Sequence, residues 1–153
     1  MLQKILSFFR KKRPKIERVA LEGSQHDLKE IFARLNTRYF ENQLDLPISW
    51  FGNGNLMPRS SIRLGSYNLR SKTIKVHRLL DQAHIPPFFV SFIVYHEMLH
   101  HLLPPIKANK RRSIHHPEFT RREKEFEEYA LAVEFIKNIR TKLFIKKQIK
   151  KTS

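Results

Sequence analysis

A chain of 153 residues, 41% of them hydrophobic and 12 of them Phe, has the size and apolar content of one folded domain, which excludes a disordered chain and a pair of large domains. Thirty Lys and Arg against 14 Asp and Glu leave a formal net charge of +16, a field that draws in phosphate polymers or anionic membranes before any specific contact forms. With no Cys, disulfides and Cys-ligated zinc ribbons are excluded, so a metal site must use His and carboxylates.

Residues 1–22 read as a basic N-terminal arm. Its apolar positions Leu2, Ile5, Leu6 and Phe9 precede the basic run at 10–13, the reverse of the order in a secretory signal. Their helical spacing would let the arm rest on the domain or on a membrane surface, but the simpler expectation is a frayed arm. Ser24 and Asp27 carry a helix-capping signal, and Leu28, Ile31, Phe32, Leu35 and Tyr39 then recur at helical intervals to about Asn42. Residues 47–51, 60–67 and 72–76 are short runs of strand formers divided by Gly, Asn and Pro or by the turn-like 68–71 segment, and predict a small antiparallel three-stranded sheet.

Pro86 and Pro87 open a helix over 88–103 that is apolar on nearly every side and is therefore the buried central one; Pro104 and Pro105 end it. A basic loop through Lys107, Lys110, Arg111 and Arg112 follows. A third helix starts near Pro117, with Phe119, Phe126, Tyr129, Val133 and Ile136 as its inner stripe, and residues 141–153 form a Lys-rich tail. The expectation is an α+β fold with one domain at 23–140. No stretch has the roughly 18 apolar residues that a spanning helix needs, and a cytoplasmic location is expected.

Residues 96–100, HEMLH, fit the H-E-x-x-H pattern. One helical turn separates His96 from His100, so both imidazoles reach a single ion, and zinc suits such a site. Glu97 projects about 100° round the helix from His96, beside the ion's water rather than on the metal, in place to act as general base. A catalytic zinc needs a third protein ligand, and the near Gly and His of the metzincin pattern are absent after His100. The residues alone leave a downstream His or a carboxylate from the next helix, Glu118, Glu123 or Glu127. His101 points about 100° off the ligand face. Tyr95 points off it too, and His26, His77 and His84 lack metal spacing and read as surface or turn histidines.

Beyond the zinc motif, a helix ending in Tyr39 and Phe40 is followed by PISW at 47–50, RLGSY at 63–67, TIKV at 73–76, HEMLH at 96–100 and HHPEF at 115–119. Over about residues 28–136 this series resembles the SprT-like zinc peptidase family, which includes Spartan-type proteases of DNA–protein crosslinks. The resemblance implies a minimal zincin-like domain in which Zn²⁺ is held by His96, His100 and His115, the last opening an H-G-P-x-F-like segment, with Glu97 catalytic. His116 stands where the family has a small residue, so a one-residue shift of the loop would make His116 the ligand. Glu118, Glu123 or Glu125 would steady a ligand imidazole. The resemblance implies a zinc endopeptidase acting on protein or peptide, with DNA contacted through the basic surface. The alternative is a nucleic-acid-associated binding protein whose zinc is structural.

Overall fold

The computed structural model describes residues 23–56, 59, 61–139 and 143; the expected arm at 1–22 and all but one residue of the expected tail lie outside them. Helix α1, Leu28–Tyr39, is capped by Asp27, whose Oδ1 accepts from the backbone N–H groups of Lys29 (2.9 Å) and Glu30 (3.2 Å). Ser24 serves another purpose: its N–H, with those of Gln25 and His26, converges on the Asp81 carboxylate at 2.7–3.0 Å. Burial pushes that carboxyl up, but the three backbone donors outweigh it and hold Asp81 below its ordinary range. The helix stops at Tyr39, short of the expected Asn42, because Glu41 and Asn42 turn left-handed at φ 53° and 57°. Buried Asn36 fixes the exit by pairing both its amide groups with the backbone of Leu44.

Strands β1 (Ile48–Phe51), β2 (Gly65–Asn68) and β3 (Thr73–His77) form one sheet in the order β1-β3-β2. It is mixed, a correction to the antiparallel sheet expected: β2 pairs antiparallel with β3, but β1 runs parallel to β3, with Ile48 opposite Ile74 and Trp50 opposite Val76. The β2–β3 turn is local, built on Asn68 Oδ1 accepting from Arg70 and Ser71 N–H at 2.9 Å. The β1–β2 connection is too long for a hairpin, and β3 takes the slot between them.

Pro87 occupies the first turn of α2, Pro87–Leu102, where its missing N–H costs nothing. The helix packs against α1, β2, β3 and the two helices that follow, burying Phe89 to Tyr95 and Glu97 to Leu99. After it, the expected loop is a hairpin of β4 (Ile106–Ala108) and β5 (Arg111–Ser113). Asn109 and Lys110 both adopt positive φ, 48° and 62°, the backbone of a two-residue turn that matches strand twist. The expected third helix is two: α3, Pro117–Glu123, and α4, Tyr129–Lys137. Between them Glu125, Phe126 and Tyr129 each bond three residues back, and this tighter path drives Phe126 into the core against Tyr95 and Phe92 (ring centroids 5.4 and 5.5 Å). Ile136, expected on the inner stripe, is 41% exposed.

Candidate metal centre

Three imidazoles meet at the end of α2. His96 and His100 lie one turn apart on it, and His115 arrives from the segment between β5 and α3. His100 Nε2 stands 3.1 Å from His96 Nε2 and 3.2 Å from His115 Nε2, and one nitrogen from each ring falls within 4.8 Å of the others. Tetrahedral zinc with bonds of about 2.0–2.1 Å sets its nitrogen ligands roughly 3.3 Å apart, so these separations fit such an ion.

The protonation state fits as well. A carboxylate only accepts, so the 2.6 Å contact from His96 Nδ1 to Glu123 Oε1 places the proton on Nδ1 and leaves the Nε2 lone pair facing the cluster. Burial, with the neighbouring charges of His96 and His115, lowers His100 to about 4, which keeps it a neutral donor at physiological pH. Phe119, 1% exposed, is the floor: its ring centroid lies 5.0, 4.6 and 4.8 Å from those of His96, His100 and His115.

Glu97 is 5% exposed, and burial pushes its carboxyl up to about 7 against the opposing charges of His96 and Arg63. It abuts β2 at Gly65, where a Cβ would meet Glu97 Oε1 at 2.7 Å and Ile93 Cγ2 at 2.8 Å. Only a residue without a side chain lets the strand backbone come so near the carboxylate.

The cluster therefore brings together His96, His100 and His115, with Glu97 beside them. His116 is apart from it: this residue caps α3, is 6% exposed, and its Nε2 has no hydrogen-bond partner among the described residues. Of the three candidate supporting glutamates Glu123 makes the contact, while Glu118 and Glu125 both pair with Arg121; Glu127, a candidate ligand, pairs with Arg38. Tyr95 is fully buried and donates to the Arg122 carbonyl at 2.7 Å. His101 faces Tyr67, whose hydroxyl lies 2.8 Å from His101 Nδ1. Contrary to expectation, His26 and His77 are buried and structural, His26 against the Gln82 carbonyl and His77 as the cap of the 3₁₀ turn Arg78–Leu80; His84 is exposed.

Sequence reasoning missed Gly65, the Tyr67–His101 pair and the part Phe119 plays under the rings. A glycine inside a strand-forming run is the signal that would have found the first, since it marks a close approach to the backbone. No pattern announces the other two.

A small mixed sheet, a buried helix bearing two histidines and a glutamate, and a third histidine at the start of the next helix together define a zincin-like domain. The family model for SprT-like proteins matches residues 28–142, and the chain belongs to the SprT-like family. No curated protein and no solved structure matches it. No helix among the described residues is long and apolar enough to cross a membrane.

Proposed function

We propose that this protein is a zinc-dependent endopeptidase, with His96, His100 and His115 as the metal ligands and Glu97 as the general base. The observation that carries the reading is the convergence of three imidazole nitrogens within 4.8 Å beside a buried carboxylate. A zinc ion held there would supply Lewis acidity toward the scissile carbonyl and the attacking water. Glu97 takes the water's proton as the C–O bond forms and returns it to the amine nitrogen as the C–N bond breaks. Burial pushes its carboxyl up, and a bound cation would draw it down toward the carboxylate form that accepts the proton. Glu123 holds the His96 ring in its tautomer.

Substrate lies extended along β2. Within the three-stranded sheet β3 is paired on both sides, whereas β2 is an edge. Glu97→Gln keeps the shape and removes the base, so zinc content should hold while peptide cleavage falls by about 10²–10⁴-fold. Full cleavage by that variant sinks the mechanism.

One observation favours a second reading, a nucleic-acid-associated protein whose zinc is structural. Residues 107–112 are exposed and include Lys107, Lys110, Arg111 and Arg112, of which Arg112 lines the cleft at the site. Trp50 is 5% exposed and in the core, so it offers no ring to a base. Salt-sensitive DNA binding that survives Glu97→Gln, with no cleavage of unfolded or DNA-bound protein by the wild type, favours this second reading. Cleavage of DNA-bound protein joins the two. A membrane-binding use of residues 1–13 falls outside the described residues.

A further inference from the structure

Two cavities, each of about 360 Å³, flank Glu97. Both are lined by Arg63, Gly65, His96 and Glu97, so they are the two arms of one cleft that crosses the metal centre. Their walls differ in chemistry. One arm is apolar, with Ile62, Leu64, Phe92, Ile93, Val133 and Ile136 around it. Its second carboxylate, Glu123, is committed to His96. The other arm is the basic one, where Arg112 from the hairpin joins Arg63, Ser66 and Tyr67 among the apolar side chains of Leu69, Pro105 and Ile114. Glu97 is the one carboxylate that lines it.

The order of residues along the strand orients the cleft. The apolar arm borders positions 62, 64 and 65, and the basic arm borders 65, 66, 67 and 69, so the cleft follows the free edge of β2. A peptide added to that edge in the antiparallel sense, the more stable pairing, has its N-terminal side at the basic arm and its C-terminal side at the apolar one.

We infer that the cleft selects peptides with an acidic residue before the scissile bond and a large apolar residue after it, an assignment of substrate class that rests on the peptidase reading above. The apolar arm removes a bulky side chain from water, where a few methylenes separate good substrates from poor ones by tenfold or more. Arg63 and Arg112 are both exposed, so the acidic preference is smaller, several-fold, and weakens with salt.

The test uses fluorescent peptides that are alike except for the two central residues: Asp-Phe, Asp-Ala, Lys-Phe and the reversed Phe-Asp. Their binding is measured by anisotropy on the zinc-loaded full chain carrying Glu97→Gln, and their cleavage on the wild type. Asp-Phe should bind at least about tenfold tighter than Asp-Ala and several-fold tighter than Lys-Phe. Ile136→Asp should abolish the first preference and keep the second, and Arg112→Glu should invert the second and keep the first. Both residues are exposed, so the fold survives either change. Equal binding of all four peptides, or of none, overturns the assignment, and a preference for Phe-Asp overturns its direction. Unselective cleavage by the wild type sinks the specificity and leaves the peptidase standing, whereas selective binding with no cleavage keeps the two arms and sinks the peptidase.

Discussion

The HEMLH turn of α2 and the HHPEF segment that leads into α3 supply the same centre by opposite means. His96 and His100 sit on a helix seated in the core: Val94, Tyr95, Met98 and Leu99 have no exposed surface, and α1, α3, α4 and the sheet pack against it. His115 is exposed, follows a hairpin whose residues are nearly all in solvent, and has Ile114, 47% exposed, before it. The first pair is set by the fold of the whole domain. The third ring is set locally, by Pro117 in the first turn of α3, by the anchored Phe119, and by two hydrogen bonds that tie α3 to α2: Tyr95 to the Arg122 carbonyl and His96 to Glu123. The fold thus places two of the imidazoles through the core and leaves the third to a short segment.

The largest effect expected from breaking this arrangement is loss of the metal. His100→Ala and His115→Ala should each take zinc from about one per chain to background by elemental mass spectrometry, since three protein ligands are the minimum for such a site. His116→Ala should keep its zinc. Loss in His116→Ala and retention in His115→Ala would reverse the assignment and make the third ligand a residue more buried than the other two. Phe119→Ala comes next. Removing a fully buried aromatic costs about 3–5 kcal/mol, measurable by denaturant unfolding, and here it also takes the floor from under all three rings. Phe126→Ala, at a similarly buried site that faces Tyr95 and Phe92, should cost as much stability while sparing the zinc of the folded fraction. Equal zinc loss in both would mean that the centre simply follows global stability.

The same contrast governs what could be read from sequence. The helix with HEMLH was legible because its all-round apolar character, its flanking prolines and its metal spacing agree on residues 87–102 to within one position. The cap at Asp27 and the turn at Asn68 were legible because short polar side chains bond the backbone locally. What depends on distant partners was not. Whether β1 runs with or against β3 is decided by where the chain crosses, not by the composition of either strand. The β4–β5 hairpin hid under its lysines and arginines, with no alternation of apolar residues and no Gly in the turn. The break between α3 and α4 follows from Phe126 turning inward, a demand of the core that the helical stripe does not encode. At the site, the two arms' opposite chemistry comes from residues as far apart in the chain as Ile62 and Ile136, which no local pattern links.

The two ties between the regions give the smaller effects. Glu123→Gln keeps an acceptor for the His96 proton but removes the charge that makes the ring a stronger donor. Zinc affinity should fall by about 10–100-fold with little change in the fold. An unchanged dissociation constant in competition with a chelator would show that Glu123 pairs with the imidazole without serving the metal.

Tyr95→Phe is the finest probe, because it deletes one oxygen and keeps the ring that packs against Tyr39, Phe40 and Phe126. The buried hydroxyl bonds the Arg122 carbonyl at 2.7 Å, so its loss should cost about 0.5–1.5 kcal/mol of unfolding free energy. If the third ligand is held by its own segment, that cost appears in stability alone and zinc affinity stays within about twofold, since 0.4 kcal/mol is roughly that factor. If affinity drops in step with stability, the register of α3 against α2 sets the reach of His115. The third ring would then be as much a product of the core as the other two, held through a single carbonyl one residue before Glu123.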